Sequence, residues 1–263
     1  MIRVQREPTP QTLIDNADEW ALELCEARRL YYVELRRFER REISTRPKTV
    51  DAKKSRYANN TVKTALKRMF GTKCCYCEAK VTVVSYQHVE HFRPQSIYPR
   101  LAYEWSNLLL ACEQCNSTHK GDRFPLGPGE QHAEPDRQTP CSLNGSDTGL
   151  LIDPCRDDPA DHFEYVFDDR PDDGYIDVVL VCKSRRGELS RDVYGLSRTD
   201  LVDDWREHLL GIQNDVAGYQ LALQLDNRAK QRRFESYLRR SMASTSPYSA
   251  LTRAYIQQRG IDL

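Results

Sequence analysis

Apolar residues recur every three or four positions through the first quarter of the chain, a spacing that predicts two amphipathic helices. The first helix is expected over residues 13–38, with its basic residues on the outer face. The second is expected over residues 57–70, with Gly71 as its C-cap. The apolar positions of the first helix are Leu13, Ala17, Trp20, Leu24, Ala27, Tyr31, Leu35 and Phe38. Residues 1–71 are therefore predicted to form a basic helical N-terminal region.

The helical period disappears over residues 73–125, where short apolar runs are mixed with Cys, His and Asn. The next stretch, as far as residue 173, is rich in Pro, Gly, Ser and Asp, a composition typical of loops. Phe163, Tyr165 and Phe167 alternate with polar residues like a strand, residues 175–182 form a second predicted strand, and residues 171–174 suit the turn between them.

Beyond residue 196 the helical spacing returns, first over residues 201–223 and then in a basic continuation over residues 227–240. These patterns divide the chain into four regions. They are the basic helices (1–71), a Cys- and His-rich core (72–126), an acidic loop and strand region (127–195) and a C-terminal helical region (196–263). The predicted fold class is α+β.

The charges are strongly segregated along the 263 residues, although the net charge is zero. Residues 26–80 carry 16 Lys or Arg against 6 Asp or Glu, and residues 130–177 carry 3 Arg against 14 Asp or Glu. The basic region could follow a phosphate backbone, and the acidic region would repel nucleic acid and could face a protein partner or the basic helices. The alternative is that both regions are ordinary solvated surfaces with internal ion pairs.

The longest apolar runs, residues 108–112 and 178–182, are far shorter than the ~20 residues of a membrane helix, so no membrane association is expected. The first six residues lack the apolar core of a secretory signal. We therefore expect a cytoplasmic protein. In that compartment the nine cysteines are expected to bind metal rather than to form a disulfide framework.

Two Cys-x-x-Cys pairs predict a structural zinc site. Four thiolates in two such pairs complete a tetrahedral Zn²⁺ site with no open position, which makes the metal a scaffold and not a catalyst. Cys75 competes with its neighbour in the first pair and is expected to point into the core. The predicted ligands are Cys74, Cys77, Cys112 and Cys115. A redox pair or coincidental core cysteines are the alternatives.

The 34 residues between the two pairs exceed the gap of about 15–20 found in simple zinc ribbons. This insertion contains His88-Val-Glu90-His91-Phe-Arg93-Pro and Trp-Ser-Asn107-Leu-Leu-Leu-Ala, and the second pair is followed by Asn116-Ser-Thr-His119-Lys120. In order and spacing these residues resemble the HNH family of endonucleases. The resemblance implies a ββα-metal core that hydrolyses phosphodiester bonds in nucleic acid.

The residues themselves suit that chemistry, which needs an activated water and a positive charge near the phosphate. His91 is the expected general base because imidazole titrates near neutral pH. Glu90 and Asn116 are the expected protein ligands of one Mg²⁺ or Mn²⁺ ion, since hard cations prefer oxygen donors. By the resemblance, Asn107 fixes the loop that orients His91. Arg93 and Lys120 are candidates for holding phosphate.

One position departs from the family pattern, which often has His where this chain has Asn116. His119 lies three residues later and is the alternative ligand. An amide oxygen suits Mg²⁺ well, so the sequence favours Asn116. The remaining imidazole of the segment, His88, is expected to be exposed to solvent rather than to bind metal.

The sequence motifs of the core also resemble those of one HNH subfamily, the PtuB-like nuclease component of Septu anti-phage defence systems and related retron effectors. The shared motifs include Cys-x-Tyr-Cys-Glu, Val-Glu-His-Phe-Arg-Pro and, later in the chain, Leu151-Ile-Asp-Pro and Gly195-Leu-Ser-Arg. This resemblance implies an ABC-type ATPase partner (PtuA-like). The chain has no Gly-x-x-x-x-Gly-Lys phosphate loop of its own, which is consistent with that division of labour.

Three functions remain open from the sequence. The first is the nuclease, acting on DNA in most HNH enzymes but with RNA, such as tRNA, still possible. The second is a non-catalytic zinc module that binds nucleic acid or bridges proteins. The third is a cysteine-based redox sensor.

Overall fold

The computed structural model describes residues 1–81, 88–127, 132–139, 141–142, 145, 148–170 and 175–263, with only the backbone described at residues 169, 170 and 175. Its helices and strands are α1 (Gln11–Glu39), α2 (Lys54–Tyr57), α3 (Asn60–Phe70), β1 (His88–His91), β2 (Leu108–Ala111), a π-helix (Gln114–Lys120), β3 (Phe163–Arg170), β4 (Tyr175–Cys182), α4 (Arg185–Tyr194), α5 (Thr199–Gln224), α6 (Arg228–Ser241) and α7 (Ser249–Gln258). The mixed helix and sheet class is as predicted.

Both N-terminal helices form where the spacing predicted them, with two corrections. In α1 the buried face includes Arg28, which was expected on the outer basic face; its guanidinium donates to the Ser96 carbonyl at 2.8 Å. The second predicted helix is divided in two, because the side chain of Asn59 accepts a hydrogen bond from the amide of Val62 and caps a new helix there. Gly71, with φ +64°, follows α3 as expected.

Strands β1 and β2 form a two-stranded antiparallel sheet in which His91 pairs with Leu108 and His88 with Ala111. All four residues of β2 are fully buried, and α3 packs against this strand. The π-helix begins shortly after β2 and lies against β1 through its side chains. Together these three elements are the ββα core that positions the site.

The C-terminal half places β3 and β4 in an antiparallel hairpin packed on α5 and α7. The predicted turn at residues 171–174 lies outside the described residues. Helix α5 matches the predicted 201–223 segment, and α6 begins after a cap in which the Asn227 side chain accepts from the Lys230 amide. Helix α4 was not predicted, and α7 had no predicted bounds although it lies within the predicted C-terminal helical region. α4 lies inside the region expected to hold only loops and strands.

One large cluster of buried apolar residues extends from Met1 to Ile256 and includes residues of all four regions, and a second, smaller cluster joins Ala21 and Leu24 of α1 to Ala52, Ala102 and Tyr103. No helix in the described ranges has both the length and the apolar character to cross a bilayer. The disulfide between Cys25 and Cys141, with 5.8 Å between the Cα atoms, ties α1 to the acidic segment. This disulfide corrects the expectation that the cysteines bind metal instead of pairing with one another.

Candidate active site and zinc site

The four predicted zinc ligands come together at one point. Their Sγ atoms all lie within 4.8 Å of one another, and three of the four residues are buried. Sulfur atoms at about 2.3 Å from a central Zn²⁺ would be about 3.8 Å apart along each edge of a tetrahedron. The Sγ atoms of Cys77 and Cys112 are 3.8 Å apart. The residues therefore fit a zinc ion of the predicted structural kind.

The environment of the cluster suits a negatively charged metal–thiolate group. The Nη1 atom of Arg198 lies 3.6 Å from the Sγ of Cys115, and the amide of Cys115 donates to the Sγ of Cys112 at 3.4 Å. Such outer contacts orient thiolate ligands and offset their charge. Arg198 is the last residue of the Gly195-Leu-Ser-Arg motif, so this motif contributes a side chain to the surroundings of the zinc site.

A buried ion pair closes the first zinc turn. Lys73 and Glu78, which flank the Cys-x-x-Cys pair, are joined by a 2.5 Å contact between Nζ and Oε1. Ser249 at the start of α7 donates to the same Glu78 oxygen at 2.8 Å. The first zinc turn is therefore attached to the C-terminal helix. Cys75 is buried in the core as expected, and burial raises the pKa of its thiol to about 11.

His91, the predicted general base, lies at the end of β1 with 7% of its surface exposed. Its Nε2 atom is 2.9 Å from the carbonyl oxygen of Ala102. The ring of Tyr57 packs edge-on against the imidazole, with 4.5 Å between the centroids. Burial lowers the pKa of His91 to about 4, with the nearby Lys120 acting in the same direction. The imidazole is thus neutral at pH 7 and held from two sides.

Asn107 binds the loop that follows His91. Its Oδ1 accepts from the amide of Arg93 at 2.8 Å, and its Nδ2 donates to the carbonyls of Arg93 and Leu101, each at 3.1 Å. Because Leu101 precedes Ala102, the same side chain also steadies the carbonyl that holds His91. Asn107 thus joins the backbone of Arg93 to that of Leu101, and its role in orienting His91 stays a prediction.

The guanidinium of Arg93, predicted to hold phosphate, instead packs against two aromatic rings that also contact each other. It lies 4.7 Å from the centroid of Phe124 and 5.2 Å from that of Tyr98, and the residue is 9% exposed. This placement favours packing over direct contact with substrate.

Glu90 and Lys120 form a buried ion pair, with 2.8 Å between Oε1 and Nζ and side-chain exposures of 4% and 1%. The ammonium also donates to the carbonyls of His91 at 3.0 Å and Gly121 at 3.4 Å, so all its donors have acceptors. Tyr76 lies 3.4 Å from the same Glu90 oxygen, and burial raises the pKa of Glu90. Lys120 therefore faces the protein interior, where it bonds the Glu90 carboxylate and the His91 carbonyl, and it is not exposed to the phosphates of a substrate.

Asn116 and His119 point to different parts of the fold. The Nδ2 atom of Asn116 lies 3.3 Å from Nδ1 of His88 on β1, whereas a Cβ placed on Gly195 would come within 2.5 Å of the His119 ring. Asn116 is thus on the side of β1 and His119 on the side of α4. His88 is half-buried, and not freely exposed as expected.

Three contributors to the site were missed in the sequence. Tyr57 was read only as an apolar position of a helix, and the Ala102 carbonyl left no trace in the side-chain pattern. Tyr76 could have been noticed, since it is the aromatic residue of the Cys-x-Tyr-Cys motif, but its contact with Glu90 depends on the fold.

Comparison with known proteins agrees with this geometry. The family model for HNH endonuclease matches residues 74–122. Septu protein PtuB of Bacillus mycoides (strain KBAB4) is 34% identical over 217 residues, which cover 78% of this chain and 65% of that protein. Septu protein PtuB of Bacillus thuringiensis is 42% identical over 69 residues, 25% of this chain and 27% of that protein.

The Septu protein PtuA of Bacillus mycoides is also similar, at 30% identity over 151 residues that cover 52% of this chain and 19% of that protein. This chain therefore spans less than two thirds of the length of each of these relatives. No solved structure matches it. Residues 74–122 match the HNH endonuclease family model, and the chain is similar to Septu PtuB over 78% of its length.

Proposed function

We propose that this chain is a metal-dependent endonuclease that hydrolyses phosphodiester bonds in nucleic acid as the effector of an anti-phage defence complex. The observation that carries the proposal is the state of His91. A carbonyl oxygen can only accept a hydrogen bond, so the contact with Ala102 requires the proton on Nε2. Nδ1 is then the unprotonated nitrogen, able to take a proton from an attacking water.

The lowered pKa of His91 supports this assignment, because burial keeps the imidazole in its neutral, basic form. The Ala102 carbonyl and the ring of Tyr57 both contact the imidazole, and Asn107 holds the neighbouring carbonyl of Leu101. Fixing the base before substrate arrives removes an orientational cost from the proton transfer.

Glu90 and Asn116 offer the oxygen donors for one divalent ion, Mg²⁺ or Mn²⁺. A carboxylate and an amide suit hard cations, and the contacts of Glu90 with Tyr76 and Lys120 both fall on Oε1, so Oε2 can accept a further ligand. The bound ion would supply charge neutralisation at the phosphate and the leaving oxygen. The placement of His119 against Gly195 favours Asn116 as the second ligand.

DNA is the favoured substrate, with RNA as the alternative. Arg93 and Lys120 are buried, so we propose that exposed lysines of the basic region contact the phosphates of the substrate instead. Lys53 and Lys54 are exposed at the start of α2, whose other end carries Tyr57, and the charge of Lys54 acts on His88. Lys54 therefore lies close to the candidate site and, with its neighbour Lys53, could hold the phosphate backbone of the substrate.

The partner we propose is a PtuA-like ABC-type ATPase, because PtuB and PtuA are both among the similar proteins. The acidic segment of residues 130–177 is a candidate surface for it. A cytoplasmic location and the link to retron effectors stay predictions.

The test is a nicking assay with Mg²⁺ on plasmid DNA and on RNA, comparing the unchanged chain with His91→Ala and with His132→Ala. His132 is exposed and is the matched control. We expect cleavage by the unchanged chain and the control only. If neither DNA nor RNA is cut, even with the ATPase present, the catalytic proposal fails. If His91→Ala cuts normally, His91 is not the base.

A non-catalytic zinc module is the second candidate, and one observation favours it. His91, Glu90, Arg93 and Lys120 all have less than a tenth of their surface exposed, and Tyr57 covers the imidazole. Substrate can reach Nδ1 only if α2 moves or the water enters from another side. Binding of nucleic acid without cleavage in the same assays would support this candidate.

A further inference from the structure

His88 and His119 are the two imidazoles of the core that the proposed mechanism leaves unused, and of these His88 contacts Asn116. His88 begins β1, two residues before Glu90, and alternate residues of a strand point to the same face. Its Nδ1 atom lies 3.3 Å from Nδ2 of Asn116 and 3.5 Å from the hydroxyl oxygen of Ser117. Both partners belong to the π-helix. His88 therefore contacts the segment that carries the proposed second metal ligand.

Two contacts of the same kind join β1 to the π-helix. Glu90 meets Lys120, and His88 meets Asn116; the strand residues are two apart and the helix residues four apart. The repeated contact shows that the π-helix lies along this face of the strand. Asn116 is thus held against β1 at His88, two strand residues from Glu90, and is not a free residue at a helix end.

The atom of Asn116 that meets His88 decides what the amide can offer to a cation. An amide nitrogen only donates, so this hydrogen bond requires the unprotonated Nδ1 as acceptor. The nitrogen and oxygen of the amide stand on opposite branches of the same carbon. Holding Nδ2 against His88 therefore turns Oδ1 away from the ring and selects one of the two amide orientations.

We propose that His88 is a positioning residue of the metal site: it accepts the Asn116 amide and thereby makes Oδ1 the atom presented to the divalent ion. The inference rests on the proposed one-metal nuclease. It assigns His88 no direct bond to the ion and no contact with substrate. Without His88 the amide can rotate, and its NH₂ group can occupy the place of the ligand oxygen.

The test measures Mn²⁺ binding by electron paramagnetic resonance on the full, zinc-loaded chain, without any cleavage. Loss of an outer-shell partner typically weakens metal binding about 10- to 100-fold. We expect a loss of that size in His88→Ala. His88→Gln, whose side-chain oxygen can accept the same amide, should recover most of it, and His132→Ala should bind like the unchanged chain.

A second pair of variants isolates the orientation of the amide. Asn116→Asp replaces it with two equivalent oxygens, so no wrong orientation exists. In that background we expect His88→Ala to change Mn²⁺ affinity less than about threefold, well below the 10- to 100-fold loss expected with Asn116 present. An equal loss in both backgrounds would overturn the proposal. The pair also remains informative if His88→Ala alone folds poorly.

Three other results decide against the positioning role. Unchanged Mn²⁺ affinity in His88→Ala would show that the contact has no effect on the ion. Imidazole ¹⁴N coupling to Mn²⁺ that is present in the unchanged chain and lost in His88→Gln would make His88 a direct ligand. An unchanged chain that binds no Mn²⁺ would overturn the one-metal site together with this inference, whereas binding without cleavage would refute only the nuclease.

Discussion

Replacing Lys120 with Met separates an internal role of this residue from the phosphate contact that the sequence suggested. At 2.8 Å and an effective dielectric constant of about 20, the attraction between Lys120 and Glu90 is about 6 kcal/mol before the cost of desolvation. Removing the ammonium leaves a carboxylate that is 4% exposed without its partner. Loss of one member of such a pair typically costs about 3–5 kcal/mol of unfolding free energy.

In a chain of this size that loss corresponds to a fall in melting temperature on the order of 10 °C. The double variant Lys120→Met with Glu90→Gln removes both charges and should recover much of the stability without recovering cleavage. Thermal unfolding followed by circular dichroism measures both effects. Lys54→Met, at an exposed position, is the matched control and should leave the melting temperature unchanged.

Binding of nucleic acid gives the opposite expectation for the two lysines. A lysine that contacts phosphate lowers the slope of log affinity against log salt by about 1 when it is removed. We expect that change in Lys54→Met and not in Lys120→Met. A Lys120→Met chain that melts normally but loses affinity and salt dependence would refute the internal role.

Two further predictions concern metal and pH. Zinc analysis should find one tightly held Zn²⁺ per chain. Removing it with a chelator should unfold the ββα core, because such a site can contribute roughly 10 kcal/mol or more of folding free energy. A chain that keeps its circular dichroism spectrum and melting temperature without zinc would contradict this. Burial lowers the pKa of His208, which bonds Thr252, below its ordinary value of 6.5. The unfolded chain therefore binds a proton that the folded chain resists, and stability should fall as pH drops below 6.5. Urea unfolding at pH 7.5 and 5.5 should show a smaller difference for His208→Gln, and an equal difference would remove His208 as a cause.

The sequence predicted the elements whose pattern is strong. α1, α3 and α5 follow from long apolar periodicity, and the zinc cluster follows from two Cys pairs whose ligand geometry leaves few alternatives. α4 was missed because its ten residues include Gly187 and only two large aliphatic side chains, Leu189 and Val193. Its ends are instead set by the Ser184 cap and by the left-handed Gly195.

The sequence predicted which residue types form the candidate site, but it did not predict where their side chains point. Lys120 looks like a phosphate contact because a sequence shows charges without their partners, and here the partner is the carboxylate of Glu90. Only the packing of the π-helix on β1 reveals that these charges neutralise each other. Arg93 gave the same impression, since the rings of Tyr98 and Phe124 that stack on it come from five and thirty-one positions away in the chain.

The zinc site and the proposed catalytic groups are mechanically joined, since Cys115 and Asn116 are neighbours on the π-helix. The cluster fixes the start of that helix, while the contacts of Asn116 with His88 and of Lys120 with Glu90 fix its face against β1. A rotation of the π-helix would therefore break the zinc geometry and both contacts together. If the proposed nuclease is correct, a structural zinc with no catalytic position would still affect catalysis, because it fixes the segment that carries Asn116.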